Sequence, residues 1–247
     1  MRLQLPFCKN LQTVSAATSV HSVNASFIIV FVATITISFS AANAQSNQTT
    51  EVKPSYINIV TDRSAKIVNT LSIKDSAIYK QVLALLIEQY SNINRIHDES
   101  KLALIAIKQQ SNTAQESALQ VQQQEETKRM QLQQLHNVFL AGLQKDLTEG
   151  QIELVKDGMT YGVLNTTYTA YEDMIPSLTE VQKKKIYDWL IEARELAMDG
   201  ESSEKKHAIF GKYKGRINNY LSAAGYDLVK ERNEWQKRIN AKKESSK

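Results

Sequence analysis

A-R-E-L-A-M-D-G-E-S-S-E-K-K-H-A-I-F-G-K-Y-K-G-R-I-N-N-Y-L-S-A-A-G-Y, residues 193–226, decides how the chain is read. Phe210, Tyr213, Ile217, Tyr220, Leu221 and Ala224 recur at helical spacing and form one core stripe. Asp199-Gly200 ends the preceding helix, Ser202 or Ser203 caps the next, and Gly225 closes it. Gly211 and Gly215 sit inside that helix, where each costs stability relative to alanine. Their spacing predicts a close approach by another helix or a ligand. His207, Gly211, Lys214 and Asn218 share one side, and Lys212, Arg216 and Asn219 a neighbouring side. With Lys206 and Tyr220 this is the most donor-rich surface of the chain, although charge runs are often only solvated faces.

The helix before it runs from Thr179 to about Met198. Ile186, Leu190, Ala193 and Ala197 form one stripe, and Tyr187, Ile191, Arg194 and Met198 a second. So wide an apolar arc predicts a central helix with a buried Arg194. A buried guanidinium needs a carboxylate or a ligand, and Asp157, Asp173, Glu195 and Asp199 are candidate partners. Leu147-Thr148-Glu149-Gly150-Gln151 and Leu178-Thr179-Glu180-Val181-Gln182 are two copies of one pattern that predicts capping boxes. Between them Gly158 should end a short helix, and Met159–Leu164, β-branched and aromatic, should cross extended. Helix resumes over Thr166–Met174. Tyr161, Tyr168 and Tyr171 either line a cleft or pack in the core with hydroxyls at the rim.

Upstream, a helix over Ile57–Leu71 precedes one capped by Asp75, with Ile78, Val82, Leu85, Leu86, Tyr90 and Ile93 as its stripe. A glutamine-rich run from Gln109 to Gln134 has no proline or glycine, and Leu132, Leu135, Phe139 and Leu143 resume the pattern. This predicts two long antiparallel helices with a polar tip near Ser111–Glu116, within a glutamine-rich segment of about 109–127. A last helix, about Asp227–Lys243, carries Leu228, Trp235 and Ile239. The fold class is all-α: a multi-helix bundle with a long antiparallel hairpin and one short extended crossing.

Residues 1–44 read as an export signal. Arg2 and Lys9 precede the uncharged run Phe27–Phe39, and Ala42-Asn43-Ala44 has the small-x-small form of a cleavage site. The run is too short to span a bilayer comfortably. The expected location is therefore periplasmic or secreted, with no membrane association after cleavage. Residues 45–54 are polar and expected to be disordered, and 55–247 to form a single helical domain. The lone cysteine, Cys8, leaves with the signal, so the mature chain has no disulfide, thiolate nucleophile or cysteine ligand. Removing Arg2 and Lys9 from 30 basic residues leaves 28 against 26 acidic ones, a net of +2 that gives no argument for nucleic acid.

The blocks V-K-D-G-M-T-Y-G (155–162), A-R-E-L-A-M-D (193–199) and K-H-A-I-F-G-K-Y-K-G-R-I-N-N-Y-L-S-A-A-G-Y-D (206–227) resemble a secreted bacterial family. It is catalogued as domain of unknown function 3826 and described as sugar-binding, with members in Gram-negative bacteria that degrade polysaccharides. The resemblance covers about Ser55–Trp235 and supplies no catalytic residues. It implies an oligosaccharide ligand in polysaccharide utilisation. The residues agree: hydroxyls accept from Arg, Lys and Asn, C–H faces lie on aromatic rings, and acidic sugars add charge pairing. The expected ligand surface is Tyr161, Arg194, Lys206, His207, Lys214, Arg216, Asn218, Asn219 and Tyr220. No cofactor or metal is expected: the hairpin would let His97 and His136 face each other, but lone histidines mostly satisfy local hydrogen bonds.

Two other readings stay open. Paired L-T-x-x-Q motifs also resemble those of small periplasmic stress chaperones, which points to a helical interaction protein using the hairpin. No G-x-S-x-G, H-E-x-x-H or phosphate loop is present. A glycan-active enzyme is the third reading, with Asp157, Glu172, Asp173 and Asp199 as its carboxylates.

Overall fold

A computed structural model describes residues 55–110 and 113–245. The expected signal and the polar segment 45–54 lie outside the described residues. Eight helices are described: α1 (Tyr56–Asn69), α2 (Ser76–Gln110), α3 (Ala114–Leu143), α4 (Glu149–Met159), α5 (Val163–Met174), α6 (Glu180–Met198), α7 (Ser203–Ala223) and α8 (Leu228–Ser245). The fold is all-α, and no strand occurs among the described residues. Among them, no helix is long and apolar enough to cross a membrane.

The starts are fixed by side-chain caps, which replace the partners that the first N–H groups of a helix lack. Asp75 accepts from the N–H groups of Ala77 and Ile78 at 2.7 and 3.3 Å. Thr148 and Thr179 each form a complete capping box, with Gln151 and Gln182 reaching back to the cap N–H. Gln151 also donates to the Leu71 carbonyl at 2.9 Å, so this cap ties α4 to the end of α1. Ser202 caps α7 by accepting from the Lys205 N–H at 3.2 Å.

Burial divides the apolar residues into two cores. The first joins α1, α2, α3 and α4 around Val60, Leu86, Phe139, Leu143 and Val155, and includes Met198. The second joins α5, α6 and α7 around Leu164, Ile186, Leu190, Phe210, Ile217 and Leu221, with Leu228 of α8 against it. Helix α6 serves both: its body packs in the second core and its last residue in the first. That wide apolar arc makes it the central element.

The segment expected to cross extended, Met159–Leu164, instead reverses direction between two helices. The Gly162 N–H donates to the Asp157 carbonyl at 2.8 Å and the Tyr161 N–H to Gly158 at 3.5 Å. This is the pairing of a Schellman helix end. Its left-handed position, usually glycine, is held by Tyr161 at φ 60°, with Gly162 following at φ 64°. The β-branched and aromatic composition suggested a strand, but the two left-handed residues turn the chain within one step.

The short helix α4 ends one residue past Gly158, at Met159, but Tyr161 and not this glycine takes the left-handed closing position. A Cβ on Gly158 would lie 2.8 Å from Ile67 Cγ1, so this glycine lets α4 touch α1. Gly211 and Gly215 correct the expectation of close approach: a Cβ on either would meet nothing within 4 Å.

Candidate functional site

A cleft of about 780 Å³ opens between the α2–α3 hairpin and the α6–α7 corner, where the two cores meet. Its floor is built from the end of α6. Asp199 is the C-cap, and the last carbonyls of a helix have no partner within it. Two basic side chains satisfy them. His97 Nε2 lies 2.9 Å from the Asp199 carbonyl oxygen, and Lys206 Nζ donates to the Met198 carbonyl at 2.9 Å. The Lys206 ammonium also complements the negative end of the helix dipole.

His136 of α3 sits between two carboxylates. Its Nδ1 lies 3.1 Å from Asp199 Oδ2 and its Nε2 3.3 Å from Glu195 Oε2. With an acceptor at each nitrogen the ring must donate from both, which only the imidazolium does. The hydrogen bond to Asp199, then that to Glu195, pushes its pKa up to about 9. Burial pushes the Glu195 carboxyl up, but His136 and Lys156 outweigh burial and hold it at about 2. Lys156 Nζ lies 3.1 Å from Glu195 Oε1. The floor thus carries a charged pair at neutral pH.

Above the floor the walls change character. Leu132, Ala208, Ile209 and Leu196 are apolar, the last 52% exposed. Gln133 and Asn137 add amides, and Lys128, Arg129, Lys205 and Lys212 stand at the rim. Lys128 and Arg129 pair with Glu125 and Glu126 one turn away. Lys205 and Lys212 have no carboxylate within ion-pair distance among the described residues.

The expected ligand surface is not gathered in one place. Arg194 is 3% exposed and bound internally, 2.9 Å from Asp157 and in contact with Glu153 and Glu195. Burial opposes its charge, but Asp157 and Glu153 outweigh this and raise its pKa. The internal ion pair expected from sequence is therefore present, without Asp173 or Asp199. Lys206 is buried, 2% exposed. Tyr161 stacks on His207 with centroids 5.7 Å apart. Asn218 Oδ1 accepts from the Tyr171 hydroxyl at 2.7 Å. Tyr220 meets Trp189 edge-on, and Arg216 lies 4.4 Å from the Trp189 ring centroid while pairing with Glu192. Lys214 and Asn219 are exposed on the outer face of α7.

The candidate catalytic carboxylates are likewise dispersed among partners. Glu172 lies 3.9 Å from Lys183, Asp157 binds Arg194 and Asn165, and Asp199 binds His136. The cleft itself was missed. Lys205, Ala208, Ile209 and Lys212 stand at i, i+3, i+4 and i+7, a helical face legible in the sequence but without the glycines and asparagines that mark the outer one.

Comparison with known families decides where the chain belongs. The family model described as protein of unknown function (DUF3826) matches residues 57–241. The chain belongs to that family. The DUF3826 match takes in the hairpin, both cores and every wall of the cleft. No curated protein matches the chain.

Proposed function

We propose that this DUF3826 protein is an exported carbohydrate-binding protein whose α3–α6–α7 cleft takes an acidic oligosaccharide in polysaccharide utilisation. The observation that carries the reading is the pair Lys205 and Lys212 at the rim of an open cleft, neither in ion-pair contact with a carboxylate among the described residues. A fixed charged floor offers acceptors and donors to hydroxyls. Leu132, Leu196 and Ile209 offer apolar surface to the C–H faces of a sugar ring, and the lysines meet its charge. The export part rests on residues 1–44. The test is a glycan array probed with the protein and with Lys212→Ala. Acidic glycans should bind, and the variant should lose them. An array with no hit argues against the reading.

One observation favours a second reading, that of a helical interaction protein. Leu102, Ile105 and Leu119 are exposed along the hairpin, and Met130 and Val138 lie exposed further down α3. Capture of a protein partner that depends on Leu102 and Ile105, with no glycan bound, would select it.

A further inference from the structure

A second cluster lies away from the rim lysines, where α1, α2, α7 and the α4–α5 turn meet. The Arg63 guanidinium carbon stands 5.6 Å from the Tyr90 ring centroid and 5.8 Å from that of Tyr161. Lys206 Nζ stands 5.6 Å from the Tyr90 centroid as well. Two cations therefore share one aromatic ring, and neither has a carboxylate within ion-pair distance among the described residues. Asp199 acts on Lys206 only through space and is engaged by His136.

The donors of this cluster outnumber its acceptors. Lys206 uses one of its three N–H groups on the Met198 carbonyl. Tyr90 is 5% exposed, and its buried hydroxyl meets Arg63, another donor, but no acceptor. Buried donors without acceptors, beside uncompensated like charges, are unfavourable in a closed fold. Burial, reinforced by the Arg63 charge, brings the Lys206 pKa down to about 8 despite Asp199. The solvent side is edged by Tyr161 and His207. Tyr161 is 42% exposed and held at φ 60°, a conformation uncommon for a non-glycine residue.

We propose that Arg63, Tyr90 and Lys206, beneath the Tyr161–His207 ring pair, form a binding site for a single oxyanionic group: a carboxylate, sulfate or phosphate. Such a group supplies both the missing negative charge and the missing acceptors. It can come from an acidic or esterified sugar or from a free inorganic anion. This site shares Lys206 with the support of the cleft floor but none of the cleft's rim lysines.

The test is titration calorimetry of the protein with sodium sulfate, sodium phosphate and sodium galacturonate at constant ionic strength. At least one probe should bind. Removing one charged donor should weaken it roughly tenfold or more, in Arg63→Gln and in Lys206→Met. The titrations are repeated in the Lys205→Ala/Lys212→Ala background, which removes the cleft's rim charges; a probe should still bind there and be weakened by adding Arg63→Gln. Galacturonate alone would mark a sugar carboxylate, and sulfate or phosphate would mark the inorganic or ester form. Arg63 is only half-buried, so Arg63→Gln keeps the test valid if Lys206→Met fails to fold. Absence of binding by all three probes, or wild-type affinity in Arg63→Gln, overturns the proposal.

Discussion

His136 Nδ1 lies 3.1 Å from the Asp199 carboxylate, and this contact joins the hairpin to the α6–α7 corner. It holds the cleft floor and makes the corner sensitive to pH. The folded state raises the His136 pKa from 6.5 to about 9. The stability it contributes is complete below about 6.5 and is lost as pH rises through about 9. We expect about 2 kcal/mol over that window, less than the full shift because water still reaches the carboxylates. Denaturant melts of the wild type and His136→Gln between pH 6 and 9 check this. The variant should lack the alkaline decline.

Lys206 works in the opposite sense. Burial lowers its pKa from 10.5 to about 8, so below 8 the folded state carries a charge it would rather lose. Between about 8 and 10.5 the unfolded chain binds more protons, and stability from this group rises with pH. Lys206→Met removes the burden. At pH 7 it should stabilise the fold by up to about 3 kcal/mol, offset by loss of the bond to Met198, and flatten that alkaline rise. Urea unfolding at pH 7 and 10 separates the two.

Arg194 is held by Asp157, Glu153 and Glu195 at 3% exposure. Arg194→Ala leaves these carboxylates without their cation and should cost about 3–5 kcal/mol. Arg194→Lys cannot span Asp157 and Glu153 with one ammonium and should recover only part. Thermal melting measures both.

The glycines divide by what surrounds them. Gly158→Ala puts a methyl 2.8 Å from Ile67 Cγ1 and should destabilise by about 1–3 kcal/mol, unrelieved by Ile67→Val, since valine keeps that carbon. Gly211→Ala and Gly215→Ala meet nothing within 4 Å and should each stabilise by about 0.5–1 kcal/mol. Equal losses at all three would contradict this division.

These positions show what the sequence carries and what it does not. The helix starts were legible because Asp75, Thr148, Thr179 and Ser202 act on N–H groups two or three residues away. Local chemistry of that kind survives in one dimension. The burial of Arg194 was legible because a wide apolar arc surrounds it. The turn at Tyr161 was not, since its left-handed backbone contradicts the preference of its side chain. The cleft was only half legible. His97, His136 and Asp199 are separated by 102 and 63 positions, and nothing local shows that both rings reach one residue. A glycine inside a helix is ambiguous in the same way, because close approach and open space leave identical letters.

The central claim is that the inner α7 face, not the outer one, holds the ligand. The most direct measurement is calorimetric titration of an acidic oligosaccharide into the wild type, Lys205→Ala/Lys212→Ala and Arg216→Ala. The account predicts a loss of roughly tenfold or more in the double variant and wild-type affinity in Arg216→Ala. Unchanged binding in the double variant, with loss in Arg216→Ala, would contradict it.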